Sequence, residues 1–553
     1  MQIVIPMSGF GERFRRAGYS IPKPLILVEG KPIIAHVIDM FPGEADFHFI
    51  CNADALENPS FNMREILESY CPMGRIHSIP SHKLGPVHAV QMIQDSLKAD
   101  DPVIVNYCDF TCYWDWKDFK ATVDRADIDG CIPAYKGFHP HSLGQTNYAY
   151  LRLSDNEVID IQEKKPFTEN RMEEFASSGT YYFSSARLMT EAFSYVREKS
   201  LSVNGEFYVS LAFKYLFTQK MTVVPYALQH FMQWGTPEDV FEYNYWSSVF
   251  RQLVTHRHAD SPYREGTLII PAAGRGQRFR DEGYTDSKPM IEVSSREMII
   301  RAVDDLPPAS QKIFILRKDL EDITRVRATL NSTYDEPIIV VLSGETGGQA
   351  ETVRNALGEL PKEAALEGST ITIGACDSGF IYNDEDFREL IDSGSADVIV
   401  WVKTGYPNAD RFPSMYGWLD VENGLVKGVS VKKPLKNTRT DPIITGTFTF
   451  RNERVLLSLL DRLFGRGGVV NGEYYLDSCI EDALLLGLSV KAFEVEEFLC
   501  WGTPNDLKTF HYWQSCFHKW EGHEYSIDRD ARINANEKDQ LIAETKIFDP
   551  LGW

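Results

Sequence analysis

Two glycine loops carry the first chemistry the chain offers. Gly9 and Gly11 stand with Arg13 in G-x-G-x-R-F, and Gly274 and Gly276 stand with Arg278 in the same pattern. Each loop follows a short apolar run, QIVIPM or TLIIPA. Glycine there lets backbone N–H groups come close to a phosphate, and arginine adds a permanently charged, bidentate clamp. The spacing is not the dinucleotide G-x-G-x-x-G, and no G-K-[ST] follows to make a P-loop. Taken alone, such a loop is equally a tight strand-to-helix turn with a surface arginine. Lys-Pro follows nine residues after Phe14, at Lys23, and nine after Phe279, at Lys288. One such lysine would be a solvated residue before a turn proline. A lysine kept at one distance from both loops is poorly explained that way.

The loops belong to a longer repetition. IPMSGFGERFRRAGY from Ile5 and IPAAGRGQRFRDEGY from Ile270 lie 265 residues apart. VNYCDF matches IGACDS, and EKKPF matches VKKPL, both 268 residues apart. SSGTYYF with ITGTFTF, NGEFYVS with NGEYYLD, and QWGTPEDVFEY with CWGTPNDLKTF are each 267 apart. So small a drift over so many segments reads as a duplicated chain. It predicts two domains, 1–254 and 266–520, with a polar linker over 255–265. The mostly polar tail over 521–553 reads as an appendage or an arm docking on a neighbour.

These motifs need elements to position them. Buried-strand runs such as DPVIVNYCDF and STITIGACDS alternate with helical periodicity in HAVQMIQDSL and AETVRNALGEL. Alternating strand and helix predicts an α/β fold in each copy, a mostly parallel central sheet with helices on both faces. Ligands bind such sheets at the carboxyl ends of the strands, where the glycine loops, Asp109 and Asp377 fall. An Asp there could equally cap the next helix.

The glycine loop with a downstream P-K-P-L resembles the signature of the sugar-phosphate nucleotidyltransferase family. The resemblance implies two tandem Rossmann-like domains of the type that also underlies GT-A glycosyltransferases. It gives the NTP phosphates to the glycine loops and the stabilisation of their charge to Arg13, Lys23, Arg278 and Lys288. LGPVHAV, with Gly85, and GGQAETV, with Gly347, Gly348 and Gln349, fall where the family places its base-recognition loop. Asp109 and Asp377 match the Asp that holds Mg²⁺. The K-K-P segments resemble the family's E-K-P, whose lysine contacts the acceptor phosphate, which points to Lys164 or Lys165 and to Lys432 or Lys433. Copy one keeps the glutamate, Glu163, whereas copy two has Val431. In N-G-E-[FY]-Y, Asn204 and Glu206, with Asn471 and Glu473, match the place where the family's Glu meets sugar hydroxyls. The same tripeptide is also an ordinary turn before a helix.

W-G-T-P departs from the family's W-x-D-x-G-T-P. Gln233 and Cys500 stand where a second metal-binding Asp is expected, and Asp239 and Asp506 nearby read as helix-start residues. Trp234 and Trp501 read as packing. Asp127 and Asp129 mimic a D-x-D pair, but copy two lacks it, so they read as surface.

The formal charge of −22 argues against a nucleic-acid or anionic-membrane partner, though not against a phosphate ligand. Nine scattered cysteines, no signal-peptide pattern and no membrane-length apolar run predict a reduced, cytoplasmic protein without membrane insertion. The implied function is Mg²⁺-dependent transfer of a nucleotidyl group from an NTP to a sugar phosphate or similar small phosphate, releasing pyrophosphate and supplying polysaccharide precursors. Rival readings are one degenerate nucleotide-sensing copy, a wholly non-catalytic binding protein, or a GT-A-like glycosyltransferase. A homo-oligomer stays open, as do the base and the acceptor.

Overall fold

The computed structural model describes residues 1–361 except 146, 229 and 256–265, together with 364, 366 and 368–546. Beyond Thr255 the expected linker lies outside the described residues, as does the closing FDPLGW. The chain forms two compact units. One comprises Met1–Ser247, Ser515–Glu524 and the chain end from Ala543; the other comprises Ser248–Gln514 and Tyr525–Ile542. Residues 515–520, which the repeat would place in the second domain, are thus part of the first unit.

The segment read as a tail is divided between the units and packed within this chain. In the first, His523 Nε2 lies 3.1 Å from Ser247 Oγ. In the second, Tyr525 and Ile527 are buried and the Arg301 guanidinium donates to the Arg532 carbonyl.

In the first unit the Gln2–Met7 strand lies in parallel between Asp46–Asn52 and Val103–Asn106, and Arg75–Ile79 extends the parallel edge. Its apolar run is almost wholly buried, as a parallel strand covered on both faces requires. Beyond Val103–Asn106 the sheet continues antiparallel through Thr180–Phe183, Gly130–Tyr135, Phe175–Ser177, Ala149–Ser154 and Glu157–Glu163. The second unit repeats the order. Thr267–Pro271 lies between Gln311–Arg317 and Ile371–Ile373, with Ile338–Leu342 at the parallel edge. Ile443–Phe450 begins its antiparallel half.

Each sheet packs against amphipathic helices with side-chain caps. Ser185 accepts from Leu188 N–H at 3.2 Å to start Ala186–Glu198, and Asn452 accepts from Val455 N–H at 3.1 Å to start Glu453–Gly465. Met189, Phe193 and Val196 join Val4, Val105 and Ile132 in one core, while Leu456, Leu459 and Leu463 join Ile269, Ile373 and Val400 in the other.

A short antiparallel pair completes each unit at the carboxyl end of the central strands. Phe110–Tyr113 pairs with His230–Gln233, and Ser378–Ile381 pairs with Glu497–Cys500. These pairs draw the W-G-T-P segment onto the strand-end Asp: Trp234 N–H donates to the Asp109 carbonyl at 2.7 Å, and Trp501 N–H to that of Asp377 at 2.8 Å.

Candidate functional site

In the first unit the glycine loop leads from Gln2–Met7 into the short helix Glu12–Arg16. Gly11 turns the chain at φ 60°, left-handed backbone that a side chain resists, and Gly276 does so at φ 63°. The turn brings the loop against the Lys-Pro segment: a Cβ on Gly276 would stand 3.1 Å from that of Lys288. Proline at the start of the 3-10 turns Lys23–Leu25 and Lys288–Met290 fixes the entry of each lysine.

Lys23 Nζ then meets Asp109 Oδ2 at 2.7 Å, and Lys288 meets Asp377 Oδ2 likewise. Burial pushes both amines down, but Asp109 and Asp377 outweigh it and hold them above the ordinary lysine range. Both remain charged at any physiological pH.

Around this pair lies a cleft of about 600 Å³. Its lining includes Gly9, Gly11, Arg13, Lys23, Gly85 and Asp109, and on its far side Lys164 and Glu206. The far side is linked: Lys164 Nζ donates to Tyr208 Oη at 2.5 Å, and the Tyr208 hydroxyl donates to Glu206. Lys165 is exposed and outside the lining, so of the paired lysines Lys164 is the one that lines the cleft. Asn204 is likewise exposed, at φ 53° in the turn that Val203 and Glu206 close, so this asparagine shapes the turn while Glu206 reaches the cleft.

The second unit repeats these placements. The Lys432 ammonium lies 5.0 Å over the Tyr475 ring and donates to the Met415 carbonyl, and Tyr475 bonds Glu473. Lys433 and Asn471 are exposed, the latter at φ 50° in the matching turn.

The glycines expected in a base-recognition loop have a reason in the backbone. A Cβ on Gly85, at φ 85°, would stand 2.7 Å from Phe207 N, and one on Gly348, at φ 126°, 2.7 Å from Tyr474 N. Phe207 N–H donates to the Leu84 carbonyl at 2.9 Å, and the Phe207 carbonyl accepts from Val87 N–H at 3.1 Å. Tyr474 N–H donates to the Gly347 carbonyl at 2.6 Å and its own carbonyl accepts from Ala350 N–H, the residue after Gln349, at 3.1 Å. The N-G-E segment is thereby strapped to the loop at the start of helices Pro86–Gln91 and Gln349–Gly358.

Residues 3–244 match the family model described as nucleotidyl transferase. That segment of the chain is similar to the nucleotidyl transferase family. Among curated relatives, a bifunctional protein GlmU of Methanococcus maripaludis is 26% identical over 218 residues, covering 39% of this chain and 47% of that protein. A mannose-1-phosphate guanyltransferase of Neurospora crassa is 29% identical over 191 residues, covering 33% and 49%. The chain thus spans about half the length of the curated relatives it matches. Among solved structures, a nucleoside-diphosphate-sugar pyrophosphorylase from Vibrio cholerae is 23% identical, covers 44% of this chain and 98% of that one, and superposes with a TM-score of 0.38.

The first W-G-T-P segment is built around its acids. Thr236 and Asp239 form a reciprocal cap on helix Pro237–Thr255, with Asp239 Oδ2 accepting from Thr236 N–H at 2.9 Å and from its hydroxyl at 2.7 Å. Gln233 donates to the other oxygen. Burial raises the Asp239 carboxyl to about 7, and that of Asp506 to about 6. Both are helix-start residues, yet Asp239 also lines the cleft. Trp234 and Trp501 are fully buried and serve packing. Asp127 is exposed and paired with Arg125.

Among the described residues no three His, Cys, Asp or Glu gather as a metal cage. The donor set is one carboxylate, beside a glycine that leaves room: a Cβ on Gly235 would stand 3.2 Å from Asp109 Oδ2 and 3.9 Å from Asp239 Oδ2. A hard cation sharing one carboxylate with phosphate oxygens and water fits that set; an all-protein site does not.

Several lining residues escaped the sequence reading, among them Tyr107, Ser177, Tyr181, Tyr208 and His82. Tyr208 had a signal, since E-x-Y recurs with Tyr475. The others lack matching residues in copy two, so repetition could not mark them.

Proposed function

We propose that each unit transfers a nucleotidyl group from an NTP to a small phosphorylated acceptor, of sugar-phosphate type in the first, and releases pyrophosphate. The observation that carries this reading is the first cleft, which gathers the glycine loop, Arg13, the Lys23–Asp109 pair, Lys164 and Glu206 in one space large enough for both substrates. The repeated sheet order and motifs support a tandem duplication and extend the reading to Arg278, Lys288, Asp377, Lys432 and Glu473.

In this reading the backbone of Gly9 and Gly11 and the Arg13 guanidinium hold the triphosphate, and the loop at Gly85 receives the base. Lys164 holds the acceptor phosphate and Glu206 accepts from acceptor hydroxyls. An acceptor phosphate oxygen attacks the α-phosphorus in line; the new P–O bond forms as the α–β bridge breaks, and the electron pair leaves on pyrophosphate. The attacking phosphate is already anionic, so no protein base is needed. Positioning and charge neutralisation supply the rate. Lys23 faces the charge that develops between α-phosphorus and leaving group. A divalent cation, Mg²⁺ in this proposal, would be held by Asp109 or Asp377 and would offset triphosphate charge. Such phosphorylated substrates and nine free thiols suit a cytoplasmic enzyme.

Lys23→Ala and Lys288→Ala should each silence one unit, lowering its kcat on the order of 100-fold or more. Pyrophosphate release by each single variant and the double variant checks this. A double variant at the wild-type rate would refute the assignment.

A further inference from the structure

The first cleft is lined by the half-buried Glu163. This residue faces Ala149 in the antiparallel register and receives the Ser210 hydroxyl at 2.6 Å. At the matching place in the second unit Val431 faces Gly417, and no acid is supplied from the strand. The residue matching Ser210, however, is Asp477, as N-G-E-F-Y-V-S against N-G-E-Y-Y-L-D shows.

Asp477 reaches into the same spot from the opposite side. A Cβ on Gly417 would stand 2.2 Å from Asp477 Oδ2, and Gly417 itself pairs in register with Ile444. Glycine there makes room for the carboxylate. In the first unit, where only a serine comes from that side, the position is Ala149. The carboxyl has moved from the strand to the start of helix Ser478–Leu485, and its place is kept.

The walls changed with it. Tyr107, Ser177 and Tyr181, each with a hydroxyl, correspond to Ala375, Ile444 and Phe448. Ser177 and Tyr181 bond each other at 2.9 Å and the Tyr107 hydroxyl accepts from Val209 N–H at 3.3 Å, so these walls offer a polar surface that suits a hydroxylated ligand. Apolar walls around one acid favour the opposite ligand. Burial holds the Asp477 carboxyl above the usual range, against the pull of the nearby Lys432 ammonium, which burial itself depresses.

We propose that Asp477 is the specificity-determining carboxylate of the second unit, contacting the acceptor's polar end and selecting a small, sparsely hydroxylated phosphate over a sugar phosphate. The inference rests on the nucleotidyl-transfer reading. Its test uses the full chain carrying Lys23→Ala, which leaves the second unit to act, with each of the four NTPs. Hexose 1-phosphate, glycerol phosphate and ethanolamine phosphate serve as acceptors, and pyrophosphate is the readout.

The expected result is a kcat/KM at least tenfold higher for one of the two small acceptors than for hexose 1-phosphate. Asp477→Asn should raise that acceptor's KM about tenfold with little change in the NTP's KM. Gly417→Ala, which drives a methyl group into the carboxylate, should do the same, with melting temperature as the check that each variant folds. Preference for the hexose phosphate, equal effects on both KM values, no effect of either variant, or a silent second unit beside an active first would each overturn the proposal. No pyrophosphate from the wild-type chain with any NTP would instead take down the underlying reading, and this inference with it.

Discussion

Glu163 stores a pH dependence that its neighbours make testable. Burial lifts its carboxyl to about 7 from an ordinary 4.5, with the Ser210 hydroxyl and Lys164 opposing the rise. The unfolded chain releases that proton near the ordinary value and the folded chain near 7. Between the two the folded state holds more protons, so stability falls as pH rises through this window. Glu163→Gln keeps the shape without the titration. The variant should therefore gain on the wild type between pH 4.5 and 8, on the order of 1–3 kcal/mol, in denaturant unfolding at the two ends. A pH-independent difference would show that this carboxyl titrates as in water. At this scale the motif residues were legible, because Arg13, Lys23 and Asp109 recur at nearly constant offsets in Arg278, Lys288 and Asp377. The Lys23–Asp109 ion pair was not, since two residues 86 apart meet only after the strands are paired.

The loops at Gly85 and Gly348 and the N-G-E turns behave as one element in each unit, although more than a hundred residues separate them. Phe207 and Tyr474 bond the loops through their main chains, with Gly85 and Gly348 admitting the contact at positive φ. Gly85→Ala should therefore cost about 1–3 kcal/mol through backbone strain, and should raise the KM for both NTP and acceptor. Thermal unfolding together with KM values for both substrates checks this; a rise in the NTP's KM alone would mean the two segments act separately. Sequence periodicity exposes the parallel strands, whose apolar runs are nearly continuous, as in DPVIVNYCDF. It does not expose the antiparallel half, where Ala149–Ser154 and Glu157–Glu163 are half-polar and their pairing decides which side chains share the cleft. Hence Glu163 and Val431 could be read as a difference between copies, while Asp477 could not be read as the compensation.

The whole chain is strongly acidic at −22, yet its loops and cleft concentrate cations at Arg13, Lys23 and Lys164. In the proposed function, local geometry and not net charge would hold the polyphosphate. Among the described residues no helix is long and apolar enough to cross a membrane. The repeat was plain in the sequence; the partition of residues 515–546 between units was not, because it rests on tertiary contacts such as His523 with Ser247 and Arg301 with Arg532. Nucleotidyl transfer is distinguished by attack at the α-phosphorus. Full-length protein should be incubated with NTPs labelled at the α-phosphate, a divalent cation and a panel of acceptor phosphates. Label carried into an acceptor-linked product, with one unlabelled pyrophosphate released per transfer, is the predicted result. Label recovered only in NTP, NDP or NMP under every combination would contradict it.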